Sequence, residues 1–583
     1  MGSNEHAKEA TPSLPADIET DSSAHQDDTR LSFQDDDTTT LLPPSPTLAP
    51  TDTHAIPRST RIRGASLQAK VIWLTLCLAG LQFTWSVEMA YGTPYLLSLG
   101  LSKSHMSLVW IAGPLSGLIM QPVVGAFSDK CTSKWGRRRP FMVGGSVLVV
   151  LALLIIGWTK ELTGVFVDAE KDAHVFKVLS IVIAIFSIYL LDFSINCVQA
   201  SCRALIVDAL SPSQQELGTA WAGRMIGLGN VVGYFMGYAD LANVFPFFGD
   251  TQLKVLCFFA SLILLVCDAI TCYAVQEMPL AKHIHSDTHS LKTMKDIFTN
   301  IWHLPRPIQQ VCNVQFFSWI GWFPFLFYST TWVAEIYTKT MPLDGHDIVG
   351  QATRAGSFSF LVYSLVSLAA SFILPLLVRP SGEASMMIVG SDMGVQRTST
   401  PAYQCLTLPR LWTISHFLFC IAMLCTWFVG DIAAASVVIG ICGISWATIM
   451  WAPFSLIGEA ITRLEQEQAQ QQPHHPRQLS TEHLFQHHQA RLSKLSLERL
   501  PSYLPEPTAH VSAGIFLGIH NMYIVLPQFL VTFLSSILFR VLENDMDVDD
   551  NVNTGASSDA IGVVLRFGAI MAAVAGFISL GIK

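Results

Sequence analysis

The stretch IVIAIFSIYLLDFSINCVQASCRALIV, residues 181–207, decides the class of this chain. It exceeds the roughly 20 apolar residues that a helix needs to cross a ~30 Å hydrocarbon core, yet it holds two charged side chains, Asp192 and Arg203. Similar apolar blocks stand near residues 71–97, 107–127, 141–158, 217–240 and 253–274. Six more lie near 311–337, 352–378, 411–429, 432–456, 510–540 and 560–581. Over the whole chain 51% of residues are hydrophobic and 14% are charged, against roughly 25% charged in soluble domains. Most of the chain therefore belongs in lipid, where a run of about twenty residues can satisfy its own backbone only as a helix. The expectation is an all-α integral membrane protein of twelve spans in two six-helix halves.

Polar segments divide the halves. Residues 1–66 are rich in Ser, Thr, Asp and Pro and are expected to form a disordered cytosolic tail. The first half is expected over 67–274, a cytosolic linker over 275–310, and the second half over 311–583 with a low-complexity cytosolic insert at about 460–508. No cleavable signal peptide is expected, because the first apolar run begins near Val71 and further spans follow it. Arg58, Arg61, Arg63 and Lys70 precede the first span, and Lys130, Lys134, Arg137, Arg138 and Arg139 separate the second from the third. By the positive-inside rule both termini are cytosolic and the acidic loop ENDMDVDD faces outward.

The net charge of -9 comes from the tail and that loop, so composition excludes a nucleic-acid partner. The 12 cysteines sit mostly within apolar blocks and read as small buried hydrophobes. His474, His475, His483, His487 and His488 lie in the Gln-rich insert without ligand spacing and read as a solvated loop, so no metal site is expected. No nucleophile-base set or phosphate loop points to an enzyme, and no cofactor is expected beyond a coupling proton. Asp37 with Leu41 and Leu42 fits a vacuolar sorting string. Such strings arise by chance in acidic tails, and the plasma membrane is the default expectation.

Ionisable groups inside spans cost about 2.5–3.5 kcal/mol even on lenient insertion scales, and each is a functional candidate. Asp192, Asn196, Gln199 and Arg203 fall at i, i+4, i+7 and i+11 on one face of the fourth span. Asp192 and Arg203 are three turns apart, about 16 Å, too far for an ion pair in a regular helix. A carboxylate out of water favours its neutral form, which suits Asp192 to take and release a proton; Arg203 stays charged and can fork onto hydroxyls. A structural polar network is the alternative for this stripe. Thr84, Glu88, Tyr91 and Tyr95 repeat the spacing on the first span, with Gln82 and Trp85 nearby. Acids, amides and flat rings suit a polyhydroxylated ring. Packing or an interfacial belt equally accounts for Trp85 and the tyrosines, and a structural arginine partner for Glu88. Gly223, Gly227, Gly229, Gly233 and Gly237 give the fifth span two four-residue glycine registers for close helix contact. His520 in the eleventh span reads as structural.

Between the second and third spans stands GAFSDKCTSKWGRRRPF, residues 125–141. This resembles the loop signature of the major facilitator superfamily, in the form found in sucrose carriers of the glycoside-pentoside-hexuronide:cation symporter family. LDFSINCVQASCRALIVD resembles that family's fourth helix, WAGRMIGLGNVVGY its fifth and VQFFSWIGWFPFLFY its seventh. The resemblance spans most of residues 70–581 and implies proton-coupled symport of sucrose or a related α-glucoside, maltose included, in the fungal manner. It carries the proton acceptor to Asp192 and the sugar-contacting arginine to Arg203. Glu88 resembles the acidic form of fungal and animal relatives. Ser329, Thr330, Thr331 and Trp332 stand where plant sucrose carriers have Asp-Thr-Asp-Trp, with Glu335 further on.

The sugar is then expected between Glu88, Asn196, Gln199, Arg203, Trp85 and Tyr91, in halves that rock around a midplane site. Asp129 with Arg137, Arg138 and Arg139 is expected to latch the cytosolic faces during turnover. An uncoupled glycoside facilitator and a non-transporting sugar sensor with the same fold remain the alternatives. If the latch operates, Asp129→Asn lowers the maximal transport rate more than the apparent sugar affinity; initial-rate uptake against sugar concentration measures both.

Overall fold

In the computed structural model, the described residues are 60–211, 214–277, 302, 304–340, 348–379, 406–471, 513–549 and 559–582. The acidic tail with its Asp37, Leu41 and Leu42 string and the His-rich part of the insert lie outside them.

The first half is built from α1 (Leu67–Ser98), α2 (Lys103–Val109), α3 (Ala112–Asp129), α4 (Arg139–Gly157), α5 (Thr159–Phe166), α6 (Ala173–Ala209), α7 (Gln215–Tyr238), α8 (Leu241–Val244) and α9 (Gln252–Ala274). The second is built from α10 (Arg306–Thr340), α11 (Ile348–Leu377), α12 (Leu408–Cys425), α13 (Ile432–Gln471), α14 (Ala513–Asp549) and α15 (Ala560–Ser579). A two-residue strand β1 (Arg61–Ile62) pairs antiparallel with β2 (Val275–Gln276) and ties the approach to α1 to the end of α9.

Ten of the described helical segments are long and apolar enough to cross a membrane. The other two expected spans, α7 and α10, are long enough at 24 and 35 residues but more polar. Polar and aromatic residues of α10 face protein: Gln315, Trp319 and Trp322 are buried.

Three details depart from the sequence reading. The second span is two helices, because Pro114 has no N–H to return to the carbonyl of Trp110, and the chain turns at Trp110 and Ile111 before α3 begins. The short α5 was not expected. The tenth span continues as helix to Gln471, past the expected start of the insert near 460. Its sequence EAITRLEQEQAQQ contains good helix formers and no glycine or proline until Pro473.

Close approach depends on small residues. A Cβ on Gly229 would lie 2.5 Å from the carbonyl oxygen of Ala79, and one on Gly233 would lie 2.6 Å from Ser86 Cβ, so this register seats α7 on α1. The second glycine register turns the other way, with Gly227 against Leu368 of α11, across the halves. Arg224, the cation within α7, lies 4.9 Å from the Trp221 ring and 5.1 Å from that of Phe372 on α11. Since overpacking costs roughly 1–3 kcal/mol, Gly229→Ala is expected to lower the melting temperature of the purified protein. Gly223→Ala, with nothing within 4 Å, should leave it unchanged in the same assay.

Candidate functional site

On α6, Asp192, Asn196 and Gln199 are 2%, 5% and 8% exposed, whereas Arg203 is exposed. Asn196 Nδ2 donates to Ser116 Oγ on α3 at 2.8 Å and to the Asp192 carbonyl at 3.0 Å, and Ser116 in turn donates to the Gly113 carbonyl. Gly113 and Gly117 of α3 border this stripe: Cβ atoms there would make ordinary contacts, 3.8 Å from Asp192 Oδ1 and 3.5 Å from Asn196 Oδ1. Asp192 Oδ2 is buried without a hydrogen-bond partner. The helix is continuous from Ala173 to Ala209, so Arg203 stands about 16 Å from Asp192 along its axis.

On α1, Glu88 is buried and neither carboxylate oxygen has a hydrogen-bond partner. It faces a cavity of about 20 Å³ lined by Tyr91, Tyr95, Ile156, Leu191 and Cys257, among others. That is room for a water, not for a sugar ring. Leu191, next to Asp192 in the chain, lines the same cavity. Both carboxyls are buried in the same half, on helices that pack against one another. Tyr91 donates its hydroxyl to the Gly237 carbonyl at 2.6 Å, Tyr95 donates to Thr159 Oγ1 at 2.7 Å, and Trp85 is half-buried. Gln82 and Ser86 both donate to Asn230 Oδ1 of α7. His520 lies 3.4 Å from Gln315 across α14 and α10.

The second half contributes aromatic rings that the sequence reading did not assign. Trp319 stacks on Phe323 with centroids 5.0 Å apart, Phe323 on Phe327 at 5.6 Å, and Phe327 on Trp110 of α2 at 4.7 Å, across the two halves. Trp446 of α13 lies edge-on to Trp319 at 5.9 Å and near Tyr363 of α11 at 6.3 Å. Trp319 Nε1 and the Tyr363 hydroxyl are buried without partners. The i, i+4, i+8 spacing of Trp319, Phe323 and Phe327 was available in the sequence; the neighbours Trp446 and Trp110 were not.

Call the end of the bundle where α1 finishes the distal end. There the halves are joined. Lys103 Nζ sits 2.6 Å from Glu335 Oε1, Thr93 donates to the Phe327 carbonyl at 3.0 Å, and Ser104 meets Ser536. Arg354 of α11 pairs at 2.6 Å with Asp240, which follows α7. The Asn243 side chain, aided by Arg354, holds the Asp240 carboxyl below the ordinary range. The interaction is therefore complete above that range and weakens as pH falls through it.

At the opposite, basic end the partners are different. Arg137 and Arg138 share Asp208 Oδ2, each at 2.9 Å, at the close of α6. The backbone N–H groups of Arg138 and Arg139 donate to Glu277 beyond α9, and Arg139 also reaches the carbonyls of Cys272 and Val275. Gly136 has φ +113°, and a Cβ there would strike Glu277. These arginines tie together elements of one half; Asp208 and Glu277, which the sequence reading left unassigned, hold them. The Asp129 side chain lies outside the described residues.

Comparison with known proteins places this geometry. Residues 75–300 match the family of MFS/sugar transport proteins. The chain is 36% identical over 565 residues to a general alpha-glucoside permease of Schizosaccharomyces pombe, covering 87% of this chain and 92% of that one. It is 30% identical over 379 residues to the sucrose transport protein SUT1 of Oryza sativa subsp. japonica, covering 61% of this chain and 66% of the relative. A crystal structure of a D-xylose-proton symporter aligns at TM-score 0.50 and 14% identity over 88% of this chain and 97% of that one, which speaks to fold alone.

The Lys103 and Glu335 side chains are about a quarter exposed, so the pair contributes at most about 1 kcal/mol. Reversing either charge alone is expected to change the transport rate two- to fivefold, and the swap Lys103→Glu with Glu335→Lys to restore it; initial rates of the four proteins form the double-mutant cycle. The long match to the permease and the family model agree with the all-helical bundle: the chain is a multi-pass membrane carrier, not an enzyme, and belongs to the sugar-transport family of the major facilitator superfamily.

Proposed function

We propose that this chain carries sucrose or a related α-glucoside such as maltose together with a proton, by alternating access. The observation that carries the reading is Asp192, a buried carboxyl of α6 with an unpartnered oxygen, in the half that also buries the Glu88 carboxyl on α1. A carboxyl out of water and without a partner favours its neutral form, which suits Asp192 to take and release a proton. The S. pombe relative is named for alpha-glucosides and the rice relative for sucrose.

In this mechanism Asp192 takes a proton while the site faces an acidic exterior. Neutralising it removes the penalty of carrying a buried charge through the turn. Sugar hydroxyls then exchange water for Asn196, Gln199 and Arg203 from α6, with Glu88, Trp85 and Tyr91 completing the first-half wall. The loaded halves rock, and the lower proton activity inside releases the proton from Asp192. A membrane potential adds about 2.3 kcal/mol per charge for each 100 mV. In this reading the basic end faces the cytosol, in keeping with the arginine bias, and the joined distal end faces outward. Arg137, Arg138 and Arg139 hold the first half as one moving body through Asp208 and Glu277, and with Asp129 they latch the cytosolic faces during turnover. The plasma membrane is the proposed location.

Uptake of labelled sucrose and maltose into cells lacking their own carriers tests this. Wild type should take up sugar faster at acidic than at neutral external pH, and a protonophore should abolish the difference. Asp192→Asn should lose acid-driven accumulation by tenfold or more yet keep sugar counterflow, which moves no net proton. Uptake indifferent to pH in the wild type would leave a facilitator, and stoichiometric binding without uptake would leave a sensor.

A further inference from the structure

We propose that a cleft at the basic end binds the phosphorylated headgroup of an anionic phospholipid. The cleft has a volume of about 590 Å³ and is lined chiefly by Arg61, Arg63, Lys134, Arg139, Tyr273 and Glu277. It exists because β1 pairs with β2 and Arg63 N–H donates to the Ala274 carbonyl at 2.9 Å, which folds the approach to α1 over the end of α9.

The charges within it are unequal. Glu277 spends its carboxylate on the backbone N–H groups of Arg138 and Arg139, and Arg139 spends its guanidinium on the carbonyls of Trp135, Cys272 and Val275. Arg63 lies over the Tyr273 ring at 4.1 Å, which leaves the edge of its guanidinium open to an acceptor. Among the described residues no carboxylate pairs with Arg61, Arg63 or Lys134, and all three are exposed. Three cations around one cleft, with no carboxylate partner among the described residues, call for a multiply charged anion.

Depth selects a lipid as its source. The cleft lies where α4 begins and α9 ends, so at the level of the headgroups. Trp135 and Tyr273, 64% and 71% exposed, flank it with the amphipathic rings that settle at a membrane interface. A basic recess at that depth attracts phosphorylated headgroups, each cation contributing roughly a fivefold gain in binding. The volume suits an inositol ring with its phosphates rather than a bare phosphate.

Native mass spectrometry of the full chain in detergent, with phosphatidylinositol 4-phosphate or phosphatidylcholine added, tests the site. The wild type should retain the phosphoinositide at least tenfold better, and added salt should erode the preference. Arg61→Ala, Arg63→Ala and Lys134→Ala together should abolish it while sugar counterflow in phosphatidylcholine vesicles stays unchanged, so loss of transport is read separately from loss of lipid. Arg61→Lys with Arg63→Lys should keep most of it. Equal retention of both lipids by the wild type, or an undiminished preference in the triple alanine variant, would overturn the proposal. Displacement of the lipid by an equal concentration of soluble inositol 1,4-bisphosphate would also overturn it, in favour of a free phosphate ligand.

Discussion

Hydrocarbon offers no hydrogen-bond partner, and the polar groups of this chain are arranged around that lack. Backbone amides are spent within helices. Side chains that cannot be spent that way find one another: Gln82 and Ser86 converge on Asn230, Asn196 leans on Ser116, and Ser146 donates to Asp268. Arg224 finds ring faces instead of an acid. Even so, both oxygens of Glu88 and one each of Asp192 and Asp268 are buried and unpartnered. Buried polar atoms are rarely left unsatisfied without a use. Glu88 and Asp192 belong to the polar stripes of α1 and α6 inside the first half.

The two ends of the bundle are held by different kinds of contact. At the distal end the ties cross between halves: an ion pair on each side, serine to serine, and Trp110 on Phe327. The ion pairs and the serine contact are individually weak and partly exposed, which suits bonds that must break in every cycle. At the basic end the strong ties run within the first half, from the arginine loop to Asp208 and Glu277. They keep α3, α4, α6 and α9 together as one body. Rigid halves joined by breakable contacts are what alternating access requires.

The aromatic run along α10 links these regions. It starts at Trp319, beside Trp446, and ends on Trp110, whose Nε1 donates to Thr93 at 3.2 Å. Gly92, one turn from Glu88, makes room for that ring, since a Cβ there would sit 3.1 Å from it. Movement of α10 against α2 would therefore be felt one helical turn from the buried acid.

The sequence by itself determined the class, the helices, their approximate ends and the two polar stripes, because span length and the 3.6-residue period are local properties of a chain in lipid. It also carried the family, through the arginine loop and the fourth, fifth and seventh spans. Tertiary structure decided which residues meet. That Glu88 shares its surroundings with Asp192, that Asp208 and Glu277 hold the arginines, and that Glu335 pairs with Lys103 depend on helix rotation and on the register of α1, α6 and α9. Periodicity says which face a residue occupies but not which helix lies opposite. The break at Pro114 and the extension of α13 to Gln471 were written in local chemistry, a missing amide and a run of helix formers. They escaped a reading that weighed hydropathy first, since neither feature changes how apolar the segment is.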